Sequence, residues 1–449
     1  MKKKKQNKYL LASALSLLVL GSSFKAGAES LESKVNDLDQ QQKIIQRKWE
    51  LEQERLKDSA IAVAGKDGFA IQSGDKSFQL KLKGLLHADG RFFVKVPESN
   101  GNHTFVARRV RPILEGTIYK NFDFRFVPDF GNGTTAIQDA YADAKVTPYF
   151  KLRVGKFKVP VGLERLQTIN YLNSVEFAFP TSLVPNRDVG AQVFGDIQDG
   201  VLSYAVGAFN GVADGSSGDT DVSDAKDIAG RLFAQPFLKT DIDSLKGLGV
   251  GIGASYGKQK AASPLPSFRS SGQKAFFQYT SGATPTTANG KIVRFSPQAY
   301  YYYGPFGLLG EYVQSRQNVL NGTSEATLNN QAWQVNTSYF LTGEKASYKG
   351  IKVKNPLKPS DGKWGAVELV ARYNELRVDQ AAFSGFASAT AWAQRARAFA
   401  GGINWHFNDN VKWVTDYENT TFLGGATSGN RPSNMWLNQD FNLHSKTKL

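Results

Sequence analysis

The chain has 449 residues, with 55 Lys and Arg against 40 Asp and Glu for a formal charge of +15, 41% hydrophobic residues and no cysteine. Disulfide frameworks and thiol chemistry are thereby excluded. Helical membrane spanning is excluded as well, because nothing after residue 28 approaches the roughly twenty apolar residues that a spanning helix needs.

Lys2, Lys3, Lys4, Lys5 and Lys8 form a basic start, residues 9–20 an apolar run, and Ala26-Gly27-Ala28 a small-residue cleavage site. Residues 1–28 are therefore expected to be a secretory signal peptide, removed after export. Without the six lysines of that segment, 49 basic residues face 40 acidic ones, a net +9. An exported basic chain lacks the usual nucleic-acid context, so no nucleic-acid partner is expected and an anion-attracting surface is the better reading.

Residues 29–60 carry Leu31, Val35, Leu38, Ile45, Trp49 and Leu56 at alternating four- and three-residue steps, with Gln42 and Glu52 on the same seam. This short heptad pattern predicts a periplasmic coiled-coil helix that helps hold an oligomer together and can contact peptidoglycan or other periplasmic partners. A single solvated helix is the alternative. Residues 61–77, with Gly65, Gly68 and Gly74, read as a linker.

Residues 78–96 then alternate strictly. Phe78, Leu80, Leu82, Leu86, Phe92, Val94 and Val96 share one face; Gln79, Lys81, Lys83, His87, Asp89, Arg91 and Lys95 share the other. A ribbon with one oily and one charged side, far longer than the five or six residues of an average soluble strand, predicts a transmembrane β-strand facing lipid outward and water inward. Sixteen such strands are expected, at 78–96, 104–119, 121–128, 136–146, 149–156, 189–196, 200–209, 227–237, 248–257, 292–303, 305–316, 331–341, 365–376, 395–407, 411–420 and 434–443. Short turns (120–121, 147–148, 304–305, 408–410) alternate with long connections (157–188, 210–226, 258–291, 317–330, 377–394, 421–433), as periplasmic turns and outer loops do. The Lys-rich connection 342–364 is long for a turn side. After Phe441 and Leu443 the chain runs through His444 to Leu449 without an aromatic end, which reads either as a short tail after the final strand or as an unnatural terminus.

Tyr300, Tyr301, Tyr302 and Tyr303 before one turn, and Trp405, Phe407 and Trp413 around another, fit aromatic girdles at the membrane boundaries. Gly247, Gly249, Gly251 and Gly253 look like a fragment of a dinucleotide fingerprint, but Leu248, Val250, Ile252, Ala254 and Tyr256 alternate with them, which makes a strand with small inward residues and no cofactor site. The histidines (His87, His103, His406, His444) lack metal-ligand spacing, and no nucleophile-elbow pattern is present. Neither catalysis nor a metal is expected.

The cations are the informative set. Arg109, Arg111 and Glu115 share one face of the second strand, after Arg108; Asp123 and Arg125 share a face of the third, opposite Phe122, Phe124 and Phe126. Lys151 and Arg153 lie opposite Phe150, Leu152 and Val154 on the fifth, and Lys81 and Arg91 lie on the first. Inward Arg and Lys rings favour anion passage by replacing part of the lost hydration with fixed charge. Pairing across the wall with Asp123, Asp129, Asp139 and Asp143 is the bland alternative.

Arg108-Arg109-Val110-Arg111-Pro112-Ile113-Leu114-Glu115-Gly116, Tyr119-Lys120-Asn121-Phe122-Asp123-Phe124-Arg125-Phe126 and Pro128-Asp129-Phe130-Gly131 are similar to the phosphate-selective porin O/P family of Gram-negative outer membranes. Asp139-Ala140-Tyr141, the run from Leu152 to Glu164, Arg187-Asp188-Val189-Gly190 and Leu341-Thr342-Gly343-Glu344 continue the likeness. The resemblance implies a sixteen-stranded trimeric porin whose third long loop folds inward and narrows the pore. Arg108 and Arg109 match the family's arginine pair, whereas the loop positions of its lysine and arginine fall on Asn170 and Phe177; Arg165, Lys156 and Lys158 are the nearest substitutes.

The expectation is thus an all-β fold, a sixteen-stranded antiparallel transmembrane barrel after a short N-terminal helix, occupying residues 78–449. It is expected to be a homotrimer in outer-membrane lipid that passes small anionic solutes, phosphate or polyphosphate among them. A non-selective porin is the alternative; the rivals from other classes are a barrel enzyme such as a lipase or protease, for which no nucleophile and base stand out, and a tether or adhesin barrel. The anion path is expected to use Lys81, Arg91, Arg108, Arg109, Arg111, Arg125, Lys151, Arg153, Lys156, Lys158 and Arg165.

Overall fold

The computed structural model describes residues 31–57, 59–65, 68–94, 102–221, 223–260, 265–424 and 438–448. The expected signal peptide, residues 1–28, lies outside them. Leu31–Lys57 is one helix, α1, with Asp39–Lys43, Arg47–Glu50 and Glu52–Arg55 ion pairs along its surface. Val35, Leu38, Ile45 and Trp49 of its seam are all exposed.

The rest is strand. In chain order these are β1 (Ala60–Gly65), β2 (Gly68–Ser73), β3 (Gln79–Phe93), β4 (Thr104–Ile118), β5 (Phe122–Asp129), β6 (Ala136–Thr147), β7 (Phe150–Lys158), β8 (Arg187–Ile197), β9 (Leu202–Phe209), β10 (Asp227–Ala234) and β11 (Leu248–Gln259). They continue with β12 (Phe268–Arg269), β13 (Ala275–Phe277), β14 (Thr287–Tyr303), β15 (Phe306–Asn321), β16 (Ser324–Phe340), β17 (Ala366–Arg377), β18 (Arg395–His406), β19 (Val411–Leu423) and β20 (Asn438–Lys448). All but β12 and β13 join one eighteen-stranded antiparallel sheet, in which each strand from β3 onward pairs with the next. The last strand, β20, pairs with β19 and also with β3, so the run returns on itself. Closure pairs backbone groups that an open sheet would leave on an edge.

Side-chain alternation follows the sequence. On β3, Lys83, Leu85, His87, Asp89 and Arg91 are buried or half-buried, while Leu80, Leu82 and Leu86 are exposed. The outward face of the other strands is likewise apolar, with Val250, Ile252, Val293, Phe295, Val335, Phe399 and Ile403 exposed. The glycine stripe of β11 has a packing cause: a Cβ on Gly249 would lie 2.6 Å from the rings of Phe233 and Tyr300, and one on Gly251 2.4 Å from the Phe233 ring. Among the described residues no helix is long and apolar enough to cross a membrane.

Several sequence expectations are corrected. Residues 61–77 are no plain linker, because β1 and β2 occupy most of them and β2 pairs with β3 from Phe69↔Leu82 to Gln72↔Gln79; alternating Ile61, Val63, Phe69 and Ile71 suit strands. Residues 317–330 form no long loop. Strands β15 and β16 stay paired up to Asn321↔Ser324, and Gly322 at φ +58° takes the left-handed conformation that a two-residue hairpin needs. The expected tail is strand: Lys448 pairs with Leu85, since backbone pairing on both sides does not depend on which side chains end the chain. Of the four tyrosines, Tyr300 and Tyr302 pack with Leu163, Phe233 and Tyr348, and only Tyr301 and Tyr303 alternate away.

Segments between strands fill the space the sheet encloses. Connection 341–365 packs Tyr348 flat on Tyr300, ring centres 5.2 Å apart, and its hydroxyl donates to Leu163 O at 2.7 Å. The β12–β13 hairpin buries Phe268, Phe276 and Phe277, which meet Phe179 and Phe383. Each such ring stabilises the packed state by roughly 2–3 kcal/mol on burial.

Candidate functional site

The site is built around a strand irregularity. His87 pairs with Arg109, yet Ala88 pairs with Ala107, so Arg108 is an extra residue bulged out of β4. A bulge breaks the alternation and re-aims a side chain. Arg108 and Arg109, neighbours that a regular strand would send to opposite faces, therefore reach the same acceptor. The turn after β5 braces the bulge: Asp129 accepts from Val110 N at 3.0 Å and from Gly131 N at 3.1 Å, and a Cβ on Gly131 would lie 2.4 Å from Arg108 O.

That acceptor is Glu176, in the connection between β7 and β8, which includes the one-turn helix α2 (Leu163–Leu166). Arg108 Nε lies 2.5 Å from one carboxylate oxygen and Arg91 Nη2 3.0 Å from it; Arg109 Nη2 and Arg108 Nη2 lie 3.2 and 3.3 Å from the other. Burial alone would raise the Glu176 carboxyl, but Arg108, then Arg109 and Arg91, outweigh it and hold it far below the ordinary carboxylate range. From there the same connection reaches the opposite strands. Leu163 N donates to Glu311 at 2.6 Å, Val175 N to Asp416 at 2.9 Å and Phe179 N to Asn374 at 3.0 Å, while Arg372 Nη1 donates to Glu176 O at 2.7 Å. The segment is held from β3 and β4 on one side and from β15, β17 and β19 on the other.

Beside it opens a cavity of about 1030 Å³. Its lining includes Arg108, Arg109, Arg111, Arg125, Arg153, Lys158 and Arg165 of the expected set. Lys81, Arg91, Lys151 and Lys156 are outside that lining: Arg91 bonds Asp89 and Glu176, Lys151 pairs with Asp196 at 3.4 Å, and Lys156 is taken by Asp219. Lys83, Arg187, Arg231 and Arg269 line it and were missed. Alternation offered a signal for Lys83 and Arg231, which share inward faces with His87 and Phe233; for Arg269, in a loop hairpin, it offered none.

Most wall arginines are paired. Arg111 Nε lies 2.6 Å from Asp129, Arg153 grips Asp143 by two bonds of 2.7 Å, and Glu115 takes Lys83 as well as Arg125. Pairing across the wall is thus real for much of the set. The excess comes from cations whose hydrogen bonds go to neutral oxygens: Lys158 Nζ to Gln167 O at 2.7 Å, Arg165 to Thr181 O at 2.7 Å and Asn186 Oδ1 at 3.3 Å, Arg231 to Gln298 Oε1 at 2.9 Å. Burial first, and Arg187 second, pull the Arg165 guanidinium down to about 10, which leaves it charged at neutral pH. Eleven Lys and Arg line the cavity against five Asp and Glu. Asn170 and Phe177 line it too; Asn170 Oδ1 is 3.2 Å from His87 Nε2, and the Phe177 ring carries the Arg165 guanidinium at 4.6 Å. Among the described residues no cluster of His, Asp or Glu could hold a metal.

Known proteins resemble the chain along most of its length. The profile of the family described as phosphate-selective porin O and P matches residues 80–422. Porin O of Pseudomonas aeruginosa is 26% identical over 391 residues, which cover 80% of this chain and 86% of that protein. Among solved structures, the outer membrane channel DcaP of Acinetobacter baumannii superposes with a TM-score of 0.54 at 9% identity, over 86% of this chain and 99% of that one. Salmonella typhi OmpF, solved with daunomycin, gives 0.51 at 11% identity, over 87% of this chain and 100% of that one. Likeness at such low identity speaks for the fold alone. Sequence and fold agree: the chain belongs to the phosphate-selective porin O and P family and is an outer-membrane porin, a channel and not an enzyme.

Proposed function

We propose that the closed run from β3 to β20, without β12 and β13, is a sixteen-stranded transmembrane barrel that passes small solutes with a preference for anions, phosphate or polyphosphate among them. The observation that carries the preference is the excess of eleven cationic over five anionic residues around the cavity. Glu115 and Asp143, which pair with lining residues from outside the lining, offset only part of it. Fixed positive charge in a narrow, low-dielectric passage raises the local concentration of anions and lowers that of cations. The connection 159–186 is the inward loop that narrows the pore, and the outward aliphatic face of the strands is the lipid contact. Export on a signal ending at residue 28 and assembly into a homotrimer, with the exposed α1 seams of three copies packed together, complete this reading.

The test is the reversal potential of reconstituted channels in a potassium chloride gradient: it should carry the sign of chloride permeation. A cation-selective sign would overturn the preference. The many wall ion pairs favour a second reading, a non-selective porin, which would give a reversal potential near zero. A tether or adhesin barrel would give no solute flux in liposome swelling.

A further inference from the structure

The Glu176 carboxylate is bound as a free oxyanion would be. Four N–H donors from three arginines converge on its two oxygens at 2.5–3.3 Å. Its side chain is 4% exposed, those of Arg91 and Arg109 are 9% and 4%, and Arg108 alone is more open at 19%. The triad is not balanced by it: three guanidinium charges meet Glu176 and, through Arg91 Nη2 at 3.2 Å, Asp89. Among the described residues, Arg91 Nε is buried and makes no hydrogen bond. Such donor convergence is costly to assemble without an anion, because like charges repel and desolvated donors need acceptors. Glu176 reaches the triad across 67 to 85 residues of sequence.

We propose that Glu176 fills, as a tethered counter-anion, the oxyanion subsite made by Arg91 with Arg108 and Arg109, the two arginines that match the family's pair. Glu176 is then the specificity-determining residue of the constriction. With its carboxylate in place the native channel draws anions through by the surplus charge around Lys158, Arg165 and Arg231, yet offers phosphate no set of converging donors to hold it. A free dianion must compete with a carboxylate whose effective concentration is set by covalent attachment. Without that carboxylate the same donors would bind a phosphate or a small carboxylate by charge-assisted, partly bidentate bonds. This deepens the reading of the chain as an anion-preferring channel and rests on it.

The experiment compares native protein with Glu176→Gln and Glu176→Ala in planar bilayers, with inorganic phosphate as blocker of the chloride current and uncharged sugar flux as a measure of pore width. Gln keeps the size and one acceptor oxygen, so it guards against loss of the loop fold; heat-modifiable gel mobility reports barrel formation. The expected result is a fall of at least about tenfold in the half-blocking phosphate concentration for both variants, with chloride preference increased and sugar flux unchanged for Gln. Adding Arg109→Ala to Glu176→Gln should abolish that gain. Folded variant channels with native phosphate block would overturn the proposal, as would a rise in sugar flux with no change in block, which would make Glu176 a loop pin only. Native channels that are cation-selective, or none at all, would instead sink the functional reading, whatever the variants do.

Discussion

Arg108 Nε and Arg109 Nη2 bind the two oxygens of the same Glu176 carboxylate, at 2.5 and 3.2 Å, although the two arginines are consecutive residues of one strand. The extra residue at the His87–Ala88 register shift makes this geometry accessible, and Gly131 lets the next turn lie directly on Arg108 O. Gly131→Ala should therefore push the bulge away from the turn and destabilise the folded barrel by about 1–3 kcal/mol, the usual cost of overpacking. Urea unfolding in detergent or lipid measures it, and an unchanged midpoint would show that the turn gives way freely.

Charge that already touches a carboxylate contributes less to selectivity than charge that touches none. Arg109 shares Glu176 with Arg91 and Arg108, while Lys158 and Arg165 bond only neutral oxygens among the contacts described. Arg165→Ala is expected to lower the chloride-to-potassium permeability ratio by about twofold or more, and Arg109→Ala by less. The reverse order in reversal-potential measurements would locate the selecting charge at the arginine pair.

Adding donors opposite the existing cations should create affinity. Asn170 and Phe177 both border the cavity, and the Phe177 ring already lies under Arg165. Asn170→Lys combined with Phe177→Arg should strengthen phosphate block of chloride current by about tenfold, because several converging cations gain far more than one screened by water. A block no stronger than native would place both positions off the ion's route.

The Glu176 carboxyl, held down by its arginines against the opposing effect of burial, gives a signed pH expectation. A carboxylate whose folded pKa lies below its unfolded value, about 4.3 for Glu, stabilises the fold above that value and loses the effect only as pH falls through the folded one. The stability difference between native protein and Glu176→Gln should therefore stay constant from pH 8 to about pH 5 and shrink only in stronger acid. Thermal melts across that range check it; a difference that vanishes near pH 6 would contradict the clamp.

On α1, Val35, Leu38, Ile45 and Trp49 are exposed along one seam, interrupted by Gln42. Asp at both Val35 and Ile45 should lower the heat or detergent resistance of the proposed trimer while leaving single-channel conductance unchanged, since charge buried at a helix seam opposes association. Equal melting of variant and native protein would leave α1 a solvated helix.

The sequence by itself determined the strand faces and the family. Period two is a local property of extended backbone, so the oily and charged sides of residues 78–96 were legible before any contact was known, and on β3 they point as alternation requires. Motif identity carried the likeness over residues 100–200, and the profile match agrees with it. Asn321-Gly322 is also a legible hairpin signal inside the connection expected at 317–330. What only the tertiary structure decided was the site. A one-residue register shift turns Arg108 to the side of Arg109, and no alternation count reveals where such a shift falls. Glu176 sits in an irregular connection without a period, and its partners lie 67 to 85 residues away. Which wall arginines are matched and which are in surplus depends on those through-space pairings, because electrostatic energy is set by distance and burial and not by position along the chain.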